Sequence, residues 1–173
     1  MKIAVLIADG TEEIECLTPV DVLRRAKVDC DLVSISGEFA QGSHGIIIKA
    51  DYTVEQIDFS IYDGIVIPGG MPGATNIGAN KKVILAIENM LNEGKLVAAI
   101  CASPAVVLAE NRLIDGRKAT CYPADVFKKS MTVCEFLGKN VEIDENLITA
   151  NGPKSAMEFA FAICDYLKVK PQF

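Results

Sequence analysis

The chain has 173 residues, half of them hydrophobic and 23% charged, with a formal net charge of −6. That length and composition suffice for one well-filled core and predict a single domain over residues 1–173. The acidic balance argues against a nucleic-acid partner, which needs a basic face to displace counterions, and no basic patch offers itself to a membrane surface.

In chain order, "MKIAVLIADG" opens with an apolar run that Asp9 stops, too short for a leader, so it predicts a first strand. "TEEIECLTPVDVLRRA" predicts a helix with Ile14, Leu17, Val20 and Leu23 on its inner stripe. Pro19 either kinks that helix or leaves Thr18 to cap a second piece with Asp21 as its capping-box acid. "CDLVSIS" reads as a strand and "GSHGIIIKADYTV" as a hairpin or excursion. "DGIVIPGG" is a buried strand ending in two glycines. "KKVILAIENMLNEGK" is a helix with Val83, Ile84, Ile87 and Leu91 inward and Gly94 as its stop. "LVAAI" is another strand, followed by a short helix over residues 104–110. "GRKATCYP" predicts a strand of a later unit, "PADVFKKS" a helical turn or two, and "VEIDENLITA" an antiparallel pair. "SAMEFAFAICDYL" is a final apolar helix opened by a Ser155-x-x-Glu158 capping box. Strands alternating with helices predict an α/β fold, a mainly parallel sheet with helices on both faces.

In such sheets ligands bind outside the carboxyl ends of the strands. Four segments fall there: Asp9–Glu15, Gly69–Gly73, Cys101–Ser103 and Cys121–Pro123. Nucleotide binding fails on inspection, since Gly69-Gly70-Met71-Pro72-Gly73 is not G-x-G-x-x-G and the first loop is acidic. No cofactor is expected.

Cys101 stands at a sharp strand-to-helix turn, with Ser103 a suitable N-cap and Pro104 a suitable first helical residue. Small neighbours permit such an elbow, and the helix end favours the thiolate, making Cys101 the candidate nucleophile. The amide of Ala102 and one from the Gly69–Gly70 loop then form a candidate oxyanion hole. Glu15, between Ile14 and Cys16, is expected to be at least partly buried, hence protonated and able to donate a hydrogen bond to the sulfur. Glu12 and Glu13 read as first-turn acids and His44, the only histidine, as a solvent-facing loop residue. The other five cysteines, at 16, 30, 121, 134 and 164, form no C-x-x-C pair. They read as reduced, mostly buried thiols of a cytoplasmic protein, with Cys121 weighed as a resolving thiol and Cys16 as a residue near a dimer contact. Metal ligation is not expected.

Four stretches in order, "EEIECLTPVDVLRRA", "VIPGGMPGATN", "AAICASPAVVLA" and "NGPKSAMEFAFAI", resemble the DJ/ThiJ/PfpI family over nearly the whole chain. The resemblance implies a flavodoxin-like three-layer sandwich and a homodimer. It also implies Cys101 as nucleophile with protonated Glu15 beside it, and an oxyanion held by the Gly70 and Ala102 amides. Many members carry histidine where this chain has Tyr122, which is read as lining the pocket. Without an imidazole base, Cys-His proteolysis is disfavoured. What remains is thiol chemistry on small carbonyl compounds, α-oxoaldehydes or early glycation adducts, through a Cys101 hemithioacetal with Glu15 as acid and base. The alternative is a redox-sensing or chaperone-like protein whose Cys101 oxidises to sulfinic acid without significant turnover.

Overall fold

A computed structural model describes residues 1–173. Its centre is a seven-stranded sheet. In chain order its strands are β1 (Lys2–Ile7), β2 (Asp29–Ser34), β5 (Tyr52–Thr53), β6 (Gly64–Ile67), β7 (Leu96–Ile100), β10 (Val141–Asp144) and β11 (Leu147–Ala150). Across the sheet they run β10-β11-β7-β6-β1-β2-β5, all parallel except the edge strand β10. A hairpin of β3 (Phe39–Gln41) and β4 (Ile47–Lys49) and a pair of β8 (Lys118–Ala119) with β9 (Glu135–Phe136) stand apart.

The continuous apolar runs of β1 and β7 follow from burial on both faces. Successive strand side chains point to opposite sides, so Ala4, Leu6 and Ala8 enter one core and Ile3, Val5 and Ile7 the other. One core is covered by α2 (Gly73–Gly78), α3 (Lys81–Asn92) and a wide helical turn at Pro104–Ala109; the other by α1 (Glu13–Arg25) and α5 (Ala156–Tyr166), which pack together. A short α4 (Asp125–Lys128) completes the helices, none long and apolar enough to cross a membrane.

The three-layer α/β expectation holds, with local corrections. α1 runs unbroken through Pro19, so no second helix starts at Thr18. Its inner stripe is Glu13, Cys16, Val20 and Leu23, while Ile14 and Leu17 are 54% and 38% exposed. In α3 the buried residues are Val83, Ala86, Ile87 and Met90, with Ile84 and Leu91 only half-buried, and Gly94 ends it at φ +71°. The predicted strand before Tyr122 shrinks to β8 and pairs only with β9. It reaches the main sheet through Thr120, whose amide donates to Thr149 Oγ1 at 2.9 Å. The Ser155–Glu158 capping box does not form: Ser155 donates to Asn151 Oδ1 at 2.7 Å, and Glu158 accepts from Asn140.

Candidate active site

The sheet order changes direction between β1 and β6, and the loops beyond their carboxyl ends meet there. The Glu12 amide joins the two by donating to Gly69 O at 3.0 Å, and the β1 loop is tied to the β3–β4 hairpin by Gly10 donating to Gln41 O and Ser43 to Thr11 O, both at 2.8 Å. Gly70 has φ +87°, and a Cβ there would lie 2.3 Å from the Glu12 nitrogen, so only glycine permits this approach. β7, beside β6, delivers Cys101 to the same place.

Cys101 adopts φ +66°, in the left-handed region that a non-glycine residue enters only where its surroundings impose it. Its amide donates to Ala150 O and its carbonyl accepts from the Tyr122 amide, both at 2.8 Å, so β11 and the segment after β8 clamp the elbow. The amides of Ala102 and Gly70 favour the charged form of the sulfur. Ser103 is not an N-cap. It is already helical (φ −66°, ψ −34°), the Ala102 carbonyl accepts from Ala105 and Val106, and the Ser103 hydroxyl donates to Pro68 O at 2.6 Å. It ties the elbow to the β6 loop.

Glu15 is fully buried. Its Oε2 accepts from the Gly69 amide at 2.9 Å, and its Oε1 has no hydrogen-bond partner. Burial raises its pKa to about 7, although the Cys101 thiol and the Gly69 amide favour the charged form. Burial likewise pushes the Cys101 thiol up, and negative charge on Glu15 pushes it further, against the Ala102 and Gly70 amides. A thiol poised low by the helix end alone is therefore not what the resting protein holds. Two like charges this close cannot both persist, so the pair carries at most one, on carboxylate or on sulfur. Protonated Glu15 beside a thiolate is one of its two singly charged forms.

His44 is the exposed turn residue expected and Glu13 does stand in the first turn of α1, but Glu13 does more than stabilise a helix start. Glu13 is buried, and its carboxylate accepts from the His44 amide at 2.8 Å and lies 3.0 Å from His44 Nδ1, docking the β3–β4 turn on α1. Burial opposes ionisation, but the His44 ring and the amides of His44 and Ile46 outweigh it and hold the pKa at about 2. The folded value lies below the unfolded one, so this contact stabilises above pH 4.5 and is lost as pH falls toward 2. Glu13→Gln is expected to cost about 1–2 kcal/mol at pH 7, a difference from wild type that narrows in urea unfolding at pH 3. Equal deficits at the two pH values would show that the ionised form is not what docks the turn.

Tyr122 is 42% exposed and edge-on to Phe127, and it lines a cleft with residues 151–155. Cys16 and Cys121 are buried, with sulfurs toward the Leu6 and Tyr122 carbonyls, and all six cysteines are unpaired.

A parallel α/β sandwich with a cysteine on a left-handed elbow and a buried carboxyl beside it defines a class of thiol-bearing, flavodoxin-like proteins. Within it the chain belongs to the DJ-1/PfpI family, whose pattern it matches over residues 1–166. It is 34% identical over 168 residues to protein DJ-1 homolog B of Arabidopsis thaliana, covering 96% of this chain and 38% of that protein. The chain thus spans about two fifths of the length of the Arabidopsis relatives it matches. It is 31% identical to the glutathione-independent glyoxalase DJR-1.2 of Caenorhabditis elegans, covering 92% of this chain and 84% of that one. Among solved structures, oxidized Toxoplasma gondii DJ-1 superposes with a TM-score of 0.91 at 36% identity, covering 96% and 90% of the two chains.

Proposed function

We propose that the chain is a cysteine-dependent enzyme of carbonyl stress that converts α-oxoaldehydes, free or as early glycation adducts, to 2-hydroxy acids. The observation that carries this reading is the fully buried Glu15, one oxygen unpartnered, beside Cys101 and the Gly70 and Ala102 amides. The glyoxalase name of the Caenorhabditis relative supports it.

The Cys101 sulfur adds to the aldehyde carbon, and the proton of Glu15 goes to the new alkoxide, giving a hemithioacetal. Glu15, now ionised, removes the C1 proton and the enediol is reprotonated at C2. The resulting thioester is hydrolysed by water, restoring the thiol. Methylglyoxal plus water thus gives lactate with no change in net oxidation state. The amides hold the developing oxyanion.

A homodimer fits the same reading, since Ile14 and Leu17 of α1 and Ile46 and Ile47 of the hairpin leave apolar side chains exposed beside Glu13. Six unpaired thiols suit a reducing cytoplasm. The redox-sensing reading uses the same sulfur, and oxidized Toxoplasma DJ-1 among the similar structures favours keeping it. Lactate formation from methylglyoxal separates the two. Wild type is expected to release many equivalents of lactate per thiol, and Cys101→Ser, shown folded by circular dichroism, to fall to background. A single stoichiometric adduct would remove the enzyme reading and leave the sensor.

A further inference from the structure

The two segments that clamp the Cys101 backbone also wall a cleft of about 430 Å³. Tyr122 stands on one side, Asn151, Gly152, Lys154 and Ser155 on the other, and Asn140 joins the lining. That volume lies within the ~300–1,000 Å³ of ordinary small-molecule sites and exceeds what a three-carbon aldehyde needs.

The lining chemistry is one-sided. Lys154 is its only charged side chain, in a chain of net charge −6. Its ammonium group has no ion pair or hydrogen bond, and the Tyr122 hydroxyl has none either, so two donors of the cleft are uncommitted. The carboxamides are held in place: Asn151 Nδ2 donates to Asn140 Oδ1 at 3.1 Å, while Asn151 Oδ1 accepts from Ser155. One Asn151 N–H stays free. Gly152 keeps the ring close, since a Cβ there would sit 3.1 Å from the Tyr122 ring. Glu158, whose carboxylate accepts from Asn140 at 3.4 Å, lies outside the lining. Free donors with one cation and no acid suit an anion.

We propose that this cleft takes the anionic end, a carboxylate or phosphate, of an α-oxoaldehyde whose carbonyl reacts at Cys101, with Lys154 as the specificity-determining residue. The inference rests on the function proposed above and narrows its substrate class. A lone lysine meets its partner as a point charge, and the held carboxamides and Tyr122 hydroxyl supply direction.

The test compares kcat/KM for 4,5-dioxopentanoate and 2-oxopentanal, which share a chain length and differ by a terminal carboxylate or methyl. A phosphate ester of hydroxypyruvaldehyde forms the third arm and shows which anion is preferred. Wild type is expected to favour an anionic substrate about tenfold, mainly through KM, and Lys154→Gln to bring that ratio near one while Lys154→Arg restores much of it. A ratio near one in wild type, or one unmoved by Lys154→Gln, overturns the proposal. If no aldehyde is turned over, the enzyme reading fails separately, and binding of the unreactive ketone 4-oxopentanoate decides the cleft. Amide shifts confined to residues 151–155 and abolished in Lys154→Gln sustain an anion site; their absence removes it.

Discussion

Glu15→Gln is expected to lower kcat/KM for methylglyoxal about 10²- to 10⁴-fold and, at pH 8, to make the protein more stable than wild type. The first effect follows from removing the only buried group beside Cys101 that gives and takes a proton. The second follows from linkage. The folded pKa of Glu15 is about 7 against 4.5 in the unfolded chain, because burial disfavours the charge. Below pH 4.5 both states hold the proton and nothing is lost. Between 4.5 and 7 the unfolded chain ionises while the folded site does not, so stability falls as pH rises. Above pH 7 the whole difference persists, about 3 kcal/mol on the scale of 1.36 kcal/mol per pKa unit. Gln cannot ionise and still offers an oxygen to the Gly69 amide. Urea unfolding at pH 5 and pH 8 should therefore show the variant's advantage growing with pH. Parallel curves would mean that Glu15 escapes its buried setting, and with it would go the protonated acid that the mechanism uses. A variant that is both dead and more stable is the mark of a group kept for chemistry rather than for the fold.

How much of this was legible beforehand depends on whether a signal is local. β6, β7 and residues 3–7 of β1 are uninterrupted apolar runs, as strands covered on both faces are. The elbow was legible because small residues flank one thiol at a strand end. The inner face of α1 was not. Residues 13, 16, 20 and 23 are spaced as well for a helix face as 14, 17, 20 and 23, and the carboxylate at 13 disguises the true one. Its burial is settled by a hairpin 31 residues away, through His44. Ser103 misled for a related reason. Ser-Pro reads as cap and first turn, but the left-handed Cys101 starts the helix one residue earlier and frees that hydroxyl for Pro68. The unpartnered Glu15 oxygen and the cleft around Lys154 are tertiary facts with no local trace.

Gly69 offers the sharpest test of how closely the site is built. Its amide holds Glu15 and its carbonyl holds the Glu12 amide, so both backbone groups are committed. A methyl group there would lie 2.6 Å from the Cys101 Cβ and 2.6 Å from Glu15 Oε2, with Ile100 O at 3.0 Å. None of these neighbours is the free end of a flexible chain. Cys101 is fixed by two backbone hydrogen bonds, Ile100 is in the sheet, and Glu15 is enclosed. Gly69→Ala is thus expected to cost about 1–3 kcal/mol, as overpacking does, and to bring lactate formation to background because thiol and carboxyl are forced apart. Adding Glu15→Ala should return part of the lost stability, since it empties one side of the clash, yet restore no activity. Strict additivity of the two stability changes would show that the methyl group finds room elsewhere, and that residue 69 does not set the separation of Cys101 and Glu15.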